Sequence, residues 1–390
     1  MSLITMLQKN DDLKTLIKSV IPNKNDFITN TGAKAFFSKQ VILAPYKLSK
    51  PWEAALVGMA SDYMFRFVVG KNIHKNKDKS YSDLVAYRGL LRLKDNNELY
   101  SQAEIKYNES INIIQRFVED GDELSTQILE VAIFLSKLEQ IGRGNINENS
   151  YLNLLQPVNN VIIMDLQNIV DVFQNVFIGS GLIKPTSDVV FNPHFGNMMA
   201  LCGGADADIF IDNTLYDFKC TKSNGYHWDE IGQIMSYYFL NCLCQDEPFH
   251  NGVDLYYKSI DAIAIYHARF GIIEKYTMPE DAKEAYTDTL ASFKKIVSHE
   301  SDKVADQIVD MLAKQSIEMK YRDMSKNIKR ISKPEDVEYK VGDRVITYTK
   351  GRGTIKDFVL KDGIWYVVVE LDAFGYRRIK LEKAVFEKID

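Results

Sequence analysis

Residues 203–222 read GGADADIFIDNTLYDFKCTK, and the other elements of the fold can be predicted outward from this segment. Two short runs rich in β-forming residues flank Asp212-Asn213. Asp and Asn tolerate positive φ better than most residues, so this pair predicts a two-residue hairpin turn. Pairing outward from the turn places Ile211 opposite Thr214, and each further pair follows from the same register.

The register also predicts which side chains share a face, because side chains alternate along each strand. One predicted face carries Asp206, Asp208, Asp217 and Lys219, and the opposite face carries Ala207, Ile209, Tyr216 and Phe218. Clustered carboxylates repel one another unless a positive charge lies between them. Lys219 is one such charge. A divalent metal is a better one, because hard cations take several carboxylate oxygens plus waters. A solvated hairpin face with a salt bridge is the alternative interpretation.

The sequence on either side of the hairpin predicts the remaining elements. Residues 1–180 show mostly the apolar spacing of helices. We predict a short strand at 188–191, a helix from about Trp228 to Leu243, and a buried strand from Ile260 to Arg269. Arg269 is expected at the surface, where it could reach a substrate. This order of helix, strands, helix and strand predicts an α/β fold with a mixed sheet.

Composition and charge exclude several classes of protein. The 390 residues are 46% hydrophobic and 26% charged, which is typical of a globular chain and excludes a largely disordered, collagen-like or coiled-coil protein. The net charge of −5 excludes a strongly basic surface, so any contact with nucleic acid must come from local patches. None of the four cysteines lies in a C-x-x-C pair, and we find no leader-like segment and no apolar run of ~18 residues. We therefore expect a soluble, cytoplasmic protein with reduced thiols and no membrane contact.

Four sequence elements resemble the PD-(D/E)XK nuclease superfamily in its RecB-like branch. They are Gly58-x-x-x-Asp62, Gly204 leading into Asp208, Asp217-Phe218-Lys219, and Gln233-x-x-x-Tyr237. The first lies in a helix predicted from Trp52 to Val69, with Pro51 near its first turn. It departs from the family pattern, which has His or Glu where this chain has Asp62. The matched segments, about 50–70 and 187–270, cover about a third of the chain. The resemblance implies a restriction-endonuclease-like core that cleaves nucleic acid with a metal ion.

The resemblance also implies a metal site on the predicted carboxylate face. Asp208 and Asp217 would bind Mg²⁺ or Mn²⁺, with the carbonyl oxygen of residue 218 as a further ligand. Asp62 would bind the metal directly or through water. Asp206 is the alternative ligand if the register of the hairpin slips by two residues. Such a metal makes water a better nucleophile at neutral pH and offsets the charge of the transition state.

Other residues are implied to act on the water or on the substrate. Lys219 would orient the attacking water or help to deprotonate it. Gln233 and Tyr237 share a helix face by their i, i+4 spacing and would support the site or contact the strand. Lys222 would contact a phosphate only if the strand bulges there, and is otherwise a surface lysine. Arg66 lies one turn beyond the aspartate of the first element and could pair with that aspartate, with a phosphate, or in a structural ion pair.

From about residue 340 the pattern changes to short β-runs separated by turn residues. Their spacing of about ten residues predicts a small all-β barrel. The runs 341–345, 351–355 and 367–372 resemble the Tudor or SH3-like module at the C-terminus of UvrD/PcrA-type helicases, which binds protein or nucleic acid. A basic and aromatic patch is expected from Lys350, Arg352, Arg377 and Arg378 with Tyr348, Trp365 and Tyr376. The alternative is a stabilising cap without a partner.

We therefore expect two domains, a nuclease-like domain at 1–335 and an SH3/Tudor-like domain at 340–390. The first would contain a helical insertion at about 75–180 and a charged helical segment at about 279–331. The expected function is metal-dependent hydrolysis of nucleic acid, with DNA as the favoured substrate, in repair, restriction or phage defence. The expected partners are nucleic acid, a helicase-like protein at the C-terminal module, and a second copy of the chain if both strands are cut. The alternative is a catalytically inactive adaptor with the nuclease fold, which the acidic composition and Asp62 favour.

Overall fold

A computed structural model describes the chain at residues 3–37, 40–82, 84–94, 96–144, 148–195, 198, 202, 205, 207–245, 255, 258–299, 334–336, 339–347, 351–361, 363–372, 375–381 and 386–389. Contacts divide the chain into two compact units, Met1–Ser298 and His299–Asp390. The boundary expected between residues 335 and 340 stays a prediction, because residues 300–333 lie outside the described part.

Helices form most of the first unit before residue 180. They are α1 (Leu3–Lys9), α2 (Asp11–Val20), α3 (Pro51–Lys71), α4 (Ala86–Leu91), α5 (Asn97–Gln115), α6 (Thr126–Gly142), α7 (Glu148–Asn153) and α8 (Asn160–Val172). Short π-helical segments, Arg116–Asp120 and Phe173–Ile178, continue α5 and α8. Two further helices, α9 (Trp228–Gln245) and α10 (Ala282–Ala285), lie among and after the strands, and residues 287–299 are also helical.

Helix α3 begins where the sequence predicts. Pro51 lies in the first turn, where its missing N–H is not needed. Oε2 of Glu53 accepts hydrogen bonds from the backbone N–H of Ser49 at 2.9 Å and of Lys50 at 3.0 Å. These bonds stabilise the entry of the chain into the helix. The helix has 21 residues, so Asp62 lies near its middle.

A six-stranded mixed sheet forms the centre of the first unit. Its strands are β1 (Ile28–Thr29), β2 (Val189–Phe191), β3 (Ile209–Ile211), β4 (Thr214–Lys219), β5 (Ala262–His267) and β6 (Ile272–Thr277), in the order β1-β6-β5-β4-β3-β2. Strands β4 and β5 are parallel, and the other pairs are antiparallel. Helix α9 lies in the crossover that a parallel pair requires. The α/β class with a mixed sheet is confirmed, and β6 is a strand that the sequence did not predict.

The hairpin register is the one predicted. Its pairs are Ile211–Thr214, Phe210–Leu215 and Ile209–Tyr216. Asp212 and Asn213 have φ values of 43° and 65°, the positive values that a two-residue turn between antiparallel strands needs. One detail of the predicted faces is wrong. Ala207 packs in the hydrophobic cluster of Phe210 and not in that of Ile209, because the ladder ends at Ile209 and the chain before it leaves the strand.

Two hydrophobic clusters cover opposite faces of the sheet. In the first, the ring of Phe65 on α3 lies 4.1 Å from the ring of Phe173 and 5.1 Å from that of Phe218 on β4, centroid to centroid. In the second, Leu215 of β4 packs with α9 residues such as Met235. Because neighbouring residues of a strand point to opposite sides, β4 contributes alternately to the two clusters.

Helix α8 and its π-helical continuation, residues 160–178, form the one helix among the described residues that is long and apolar enough to cross a membrane. Only length and composition support that reading. Its side chains Ile162, Leu166, Ile169 and Phe173 are buried in the first hydrophobic cluster. Of its apolar window, 44% is buried within the protein.

A buried ion pair joins the chain after β5 to helix α8. Nη2 of Arg269 lies 2.6 Å from Oδ2 of Asp165, and both side chains are at most 1% exposed. Nε of Arg269 donates to the carbonyl oxygen of Cys220 at 2.9 Å, and the guanidinium lies 4.8 Å from the centroid of the Tyr46 ring. The expected surface position of Arg269 is therefore wrong, because Asp165 neutralises its charge inside the core.

The second unit contains an antiparallel sheet. Its described strands are β7 (Arg344–Thr347), β8 (Gly351–Lys361), β9 (Ile364–Leu371), β10 (Gly375–Lys380) and β11 (Phe386–Lys388), in the order β10-β9-β8-β7-β11. The outer strands β10 and β11 do not pair with each other within these described ranges. The predicted all-β C-terminal unit is confirmed as an antiparallel sheet over a small apolar core, but its described strands do not close into a barrel.

The patch expected on the second unit is placed only in part. Tyr376 is 61% exposed, and Arg377 and Arg378 beside it on β10 are exposed as well. Arg352 and Trp365 are half-buried. Tyr348 and Lys350 lie outside the described residues.

We expect Asp165→Ala to lower the free energy of unfolding by about 3–5 kcal/mol, because it leaves the charge of Arg269 buried without its counter-ion. Urea unfolding followed by circular dichroism measures the change. The control is Asp122→Ala, which removes an exposed carboxylate 3.9 Å from Arg116 and should cost less than about 1 kcal/mol. Equal losses in the two variants would contradict the importance of the buried pair.

Candidate active site

Strand β4 presents Asp217 and Lys219 to helix α9. Nζ of Lys219 lies 2.6 Å from Oδ2 of Asp217, which is only 2% exposed. The same ammonium donates a hydrogen bond to Oε1 of Gln233 at 3.2 Å, and Nε2 of Gln233 donates to the hydroxyl of Tyr237 at 2.9 Å. Four of the predicted site residues are thus joined by direct contacts that run from the strand to the helix.

Asp208 lies directly before β3 and reaches across the end of the hairpin. Its Oδ2 accepts a hydrogen bond from the backbone N–H of Phe218 at 2.6 Å. Burial and the charge of Asp217 raise the pKa of Asp208 to about 7, against the opposing effect of Lys219. Near neutral pH the metal-free carboxyl of Asp208 is therefore partly protonated.

Helix α3 brings Asp62 into the electrostatic range of the hairpin. Burial raises the pKa of Asp62 well above its ordinary value, and the charges of Asp208, Glu139 and Asp217 raise it further. Glu139 on α6 is held by the hydroxyl of Tyr63, which donates to its Oε2 at 2.6 Å. Asp62 is therefore affected by two aspartates that the sequence suggested, Asp208 and Asp217, and by a glutamate that it did not suggest.

The carboxylates suit a divalent cation by their chemistry. Among the described residues, no group of three or more His, Cys, Asp or Glu side chains has the arrangement of a metal site. Mg²⁺ needs only one or two protein carboxylates, since it keeps several of its waters. Asp208 and Asp217 supply two, and the raised pKa of Asp208 means that a positive charge there would be stabilising.

Lys222 lies outside this constellation. Asp206 is not among the described residues. Lys222 is exposed, and its Nζ lies 5.3 Å from the centroid of the Tyr46 ring. The ring contact gives Lys222 a structural role at the surface that the sequence did not predict.

Arg66 is buried, with 6% of its surface exposed. Its Nη2 donates to the carbonyl oxygen of Lys79 at 3.1 Å. In the amide orientation that satisfies both groups, Oδ1 of Asn192 accepts a hydrogen bond from Nη1 of Arg66 at 2.7 Å. These bonds hold the planar guanidinium in one orientation.

Sequence reasoning missed Glu230, which lies one turn before Gln233 on α9. Burial raises the pKa of Glu230, and Lys219 opposes that shift. Its Oε2 atom is buried and has no hydrogen-bond partner among the described residues. The i, i+3 spacing from Gln233 could have revealed Glu230, because it places both side chains on one helix face. Glu139 carries no such signal, since nothing local links α6 to the hairpin.

We expect Asp208→Asn to change how stability depends on pH in metal-free protein. The pKa of Asp208 is higher in the folded protein than in the unfolded chain, so the folded state binds more protons and stability falls as pH rises from about 4 to about 7. Asp208→Asn removes part of this fall. Between pH 4 and pH 8, the free energy of unfolding of the variant should therefore rise by at least about 1 kcal/mol relative to that of wild type.

Urea unfolding in EDTA at several pH values measures this effect. Asp122→Asn, on the exposed surface, is the matched control and should follow the wild-type curve. An Asp208→Asn curve parallel to that of wild type would mean that Asp208 is not enclosed with other carboxylates.

Comparison with known proteins identifies no relative that could assign a role to these residues. The case for a function rests on the residues of the site itself. No family model, no curated protein and no solved structure matches the chain.

Proposed function

We propose that the first unit is a metal-dependent nuclease of the PD-(D/E)XK type that hydrolyses phosphodiester bonds in DNA. The observation that carries the proposal is the line of contacts from Asp217 through Lys219 to Gln233, beside Asp208 and Asp62. The mixed sheet supports a restriction-endonuclease-like core, since an antiparallel hairpin is followed through α9 by a parallel strand.

Asp208 and Asp217 would hold Mg²⁺ or Mn²⁺, and Asp62 would contribute directly or through a water molecule. The carbonyl oxygen of Phe218 would be a further ligand. When bound, the ion lowers the pKa of a water molecule and neutralises part of the charge on the phosphoryl group. Its charge also offsets the repulsion between the carboxylates, which the metal-free protein has to tolerate.

Lys219 would orient the attacking water and remain a cation. Burial on its own would lower the pKa of Lys219, but the charges of Asp217 and Asp208 outweigh burial and hold the pKa above its ordinary value. A lysine in this state keeps its proton, so we assign it to positioning the water and to stabilising charge in the transition state. Gln233 fixes the ammonium through a hydrogen bond, and Tyr237 fixes Gln233.

We also propose that the second unit is a Tudor or SH3-like binding module in a cytoplasmic protein. Its exposed Tyr376, Arg377 and Arg378 support a surface for nucleic acid or for a helicase-like partner, since an aromatic ring can stack on bases and guanidinium groups can bind phosphates. The pathway that such targeting would serve is DNA repair, restriction or phage defence. A nuclease that cuts both strands would act as a pair of chains.

We expect the purified protein to cut nucleic acid with Mg²⁺ or Mn²⁺ and not with EDTA. A panel of linear and circular DNA, single- and double-stranded, together with RNA, identifies the substrate class. Lys219→Ala should lower the rate by about 100-fold or more, because it removes a cation directed at developing charge. Lys9→Ala, which removes an exposed lysine of α1, is the matched control. Cleavage by Lys219→Ala at the control's rate would exclude the proposed chemistry.

A catalytically inactive adaptor is the second candidate. The observation that favours it is that the described residues contain no preformed group of three metal-ligating side chains. Calorimetric titration with Mn²⁺ separates the two candidates. The nuclease requires binding that Asp208→Asn weakens by about tenfold or more and that Asp122→Asn leaves unchanged. Wild-type protein that binds no Mn²⁺ would favour the adaptor.

A further inference from the structure

A cavity of 650 Å³ lies beside the proposed nuclease site in the first unit. Its walls come from helix α3, from strand β2 with the residues that follow it, and from Asn76, Lys79, Ser82, Val85 and Arg88. The charged side chains of the lining are Arg66, Lys79, Arg88, Asp188 and Lys258. Nothing in the chemistry of the carboxylate site uses this cavity.

The described lining carries an excess of positive charge. Four cationic side chains face one carboxylate, which gives +3 in a chain whose net charge is −5. Lys258 forms an ion pair with Asp188. The other cationic side chains of the lining are Arg66 at the buried end and the exposed Lys79 and Arg88. A concave surface with this charge concentrates anions.

The cavity and the carboxylates share a wall at Asn192. The backbone N–H of Asn192 donates to the carbonyl oxygen of Asp208 at 3.1 Å. Its side-chain amide, oriented as above, donates to the same oxygen at 3.2 Å and accepts from Arg66. Arg66 also lies one turn beyond Asp62 on α3. Asn192 thus connects the lining of the cavity to the backbone of Asp208.

An aromatic ring also helps to hold the guanidinium of Arg66 in place. The guanidinium carbon of Arg66 lies 5.8 Å from the centroid of the Phe191 ring, which is itself buried. An oriented guanidinium loses little freedom when it meets a phosphate, and arginine matches phosphate oxygens through parallel N–H groups. Lys79 and Arg88 have long, exposed side chains in the lining and could contact the same anion.

We propose that this cavity binds a phosphate group of the DNA strand whose neighbouring phosphodiester lies at Asp208 and Asp217. The identity of the strand rests on the proposed nuclease function. Contacts to phosphate fix the position of a strand and carry no sequence information. The cavity would therefore set where along the strand the cut falls. The phosphate is either the monoester at a strand end or a diester within the strand, and both have the chemistry that the cavity recognises.

Binding measured without cleavage tests the proposal. The parent is Lys219→Ala in EDTA, so that no strand is cut, and the signal is the fluorescence anisotropy of a labelled single-stranded DNA at several salt concentrations. The probes carry a 5′-phosphate, a 3′-phosphate or neither, and a closed single-stranded circle serves as competitor. Into this parent we place Lys79→Ala with Arg88→Ala. The matched control is Lys94→Ala with Arg116→Ala, which removes the same residue types from the exposed surface outside the cavity.

We expect the cavity variant to raise Kd about tenfold, as removal of charged hydrogen bonds to phosphate should. The slope of log K against log salt should fall by about 0.7 for each phosphate that the variant no longer neutralises. The control should change neither quantity. Weaker binding seen only with one phosphorylated end identifies the monoester. Weaker binding of every probe, together with full competition by the circle, identifies the internal diester.

Equal Kd values and slopes for the cavity variant and the control would overturn the proposal, as would a parent that binds none of the probes. Cleavage is judged separately, with wild-type protein and Mg²⁺. Cutting by wild type with unchanged binding by the cavity variant retains the nuclease and removes the phosphate cavity. If the protein binds DNA through the cavity but never cuts it, the phosphate cavity is retained and the nuclease function is removed.

Discussion

Inside the first unit, the guanidinium of Arg269 is shared between the carboxylate of Asp165 and the backbone carbonyl oxygens of Cys220 and Ala44. A buried charge is tolerated only when a counter-ion and hydrogen bonds replace its water. The pair therefore fixes three segments that are distant in sequence: the end of β5, helix α8 and the loop before α3. Cys220 directly follows Lys219, so the same bonds hold the end of the strand that carries the candidate site.

The candidate site lowers the stability of the fold. Asp62 and Asp208 both have raised pKa values, because burial and neighbouring carboxylates disfavour their charged forms. Lys219 reduces that cost only in part. Buried ionisable groups whose charged form is disfavoured are common at functional sites. They persist because packing elsewhere in the protein offsets the stability that they cost. The aromatic cluster around Phe65 and the pair at Arg269 provide such packing on the side of the sheet that faces α3 and α8.

The hairpin could be predicted because its causes are local. Asp212 and Asn213 permit the turn, and alternation then determines which residues of β4 face helix α9. The burial of Arg269 could not be predicted, since it depends on Asp165, 104 residues away. The same holds for Glu139, which reaches the site only through the packing of α6 on α3. The open sheet of the second unit likewise depends on which strands meet, and regular spacing of β-runs does not determine that.

The parallel pairing of β4 with β5 has a consequence for the newly synthesised protein. Asp62 and Asp208 are 146 residues apart, and β5, which pairs with β4, comes later still in the sequence. Contacts between residues so far apart form late, because a long loop must close before they contribute. A nascent chain on the ribosome must extend past Arg269 before the sheet and its buried ion pair can form. Incomplete chains would therefore lack the assembled carboxylate and lysine cluster.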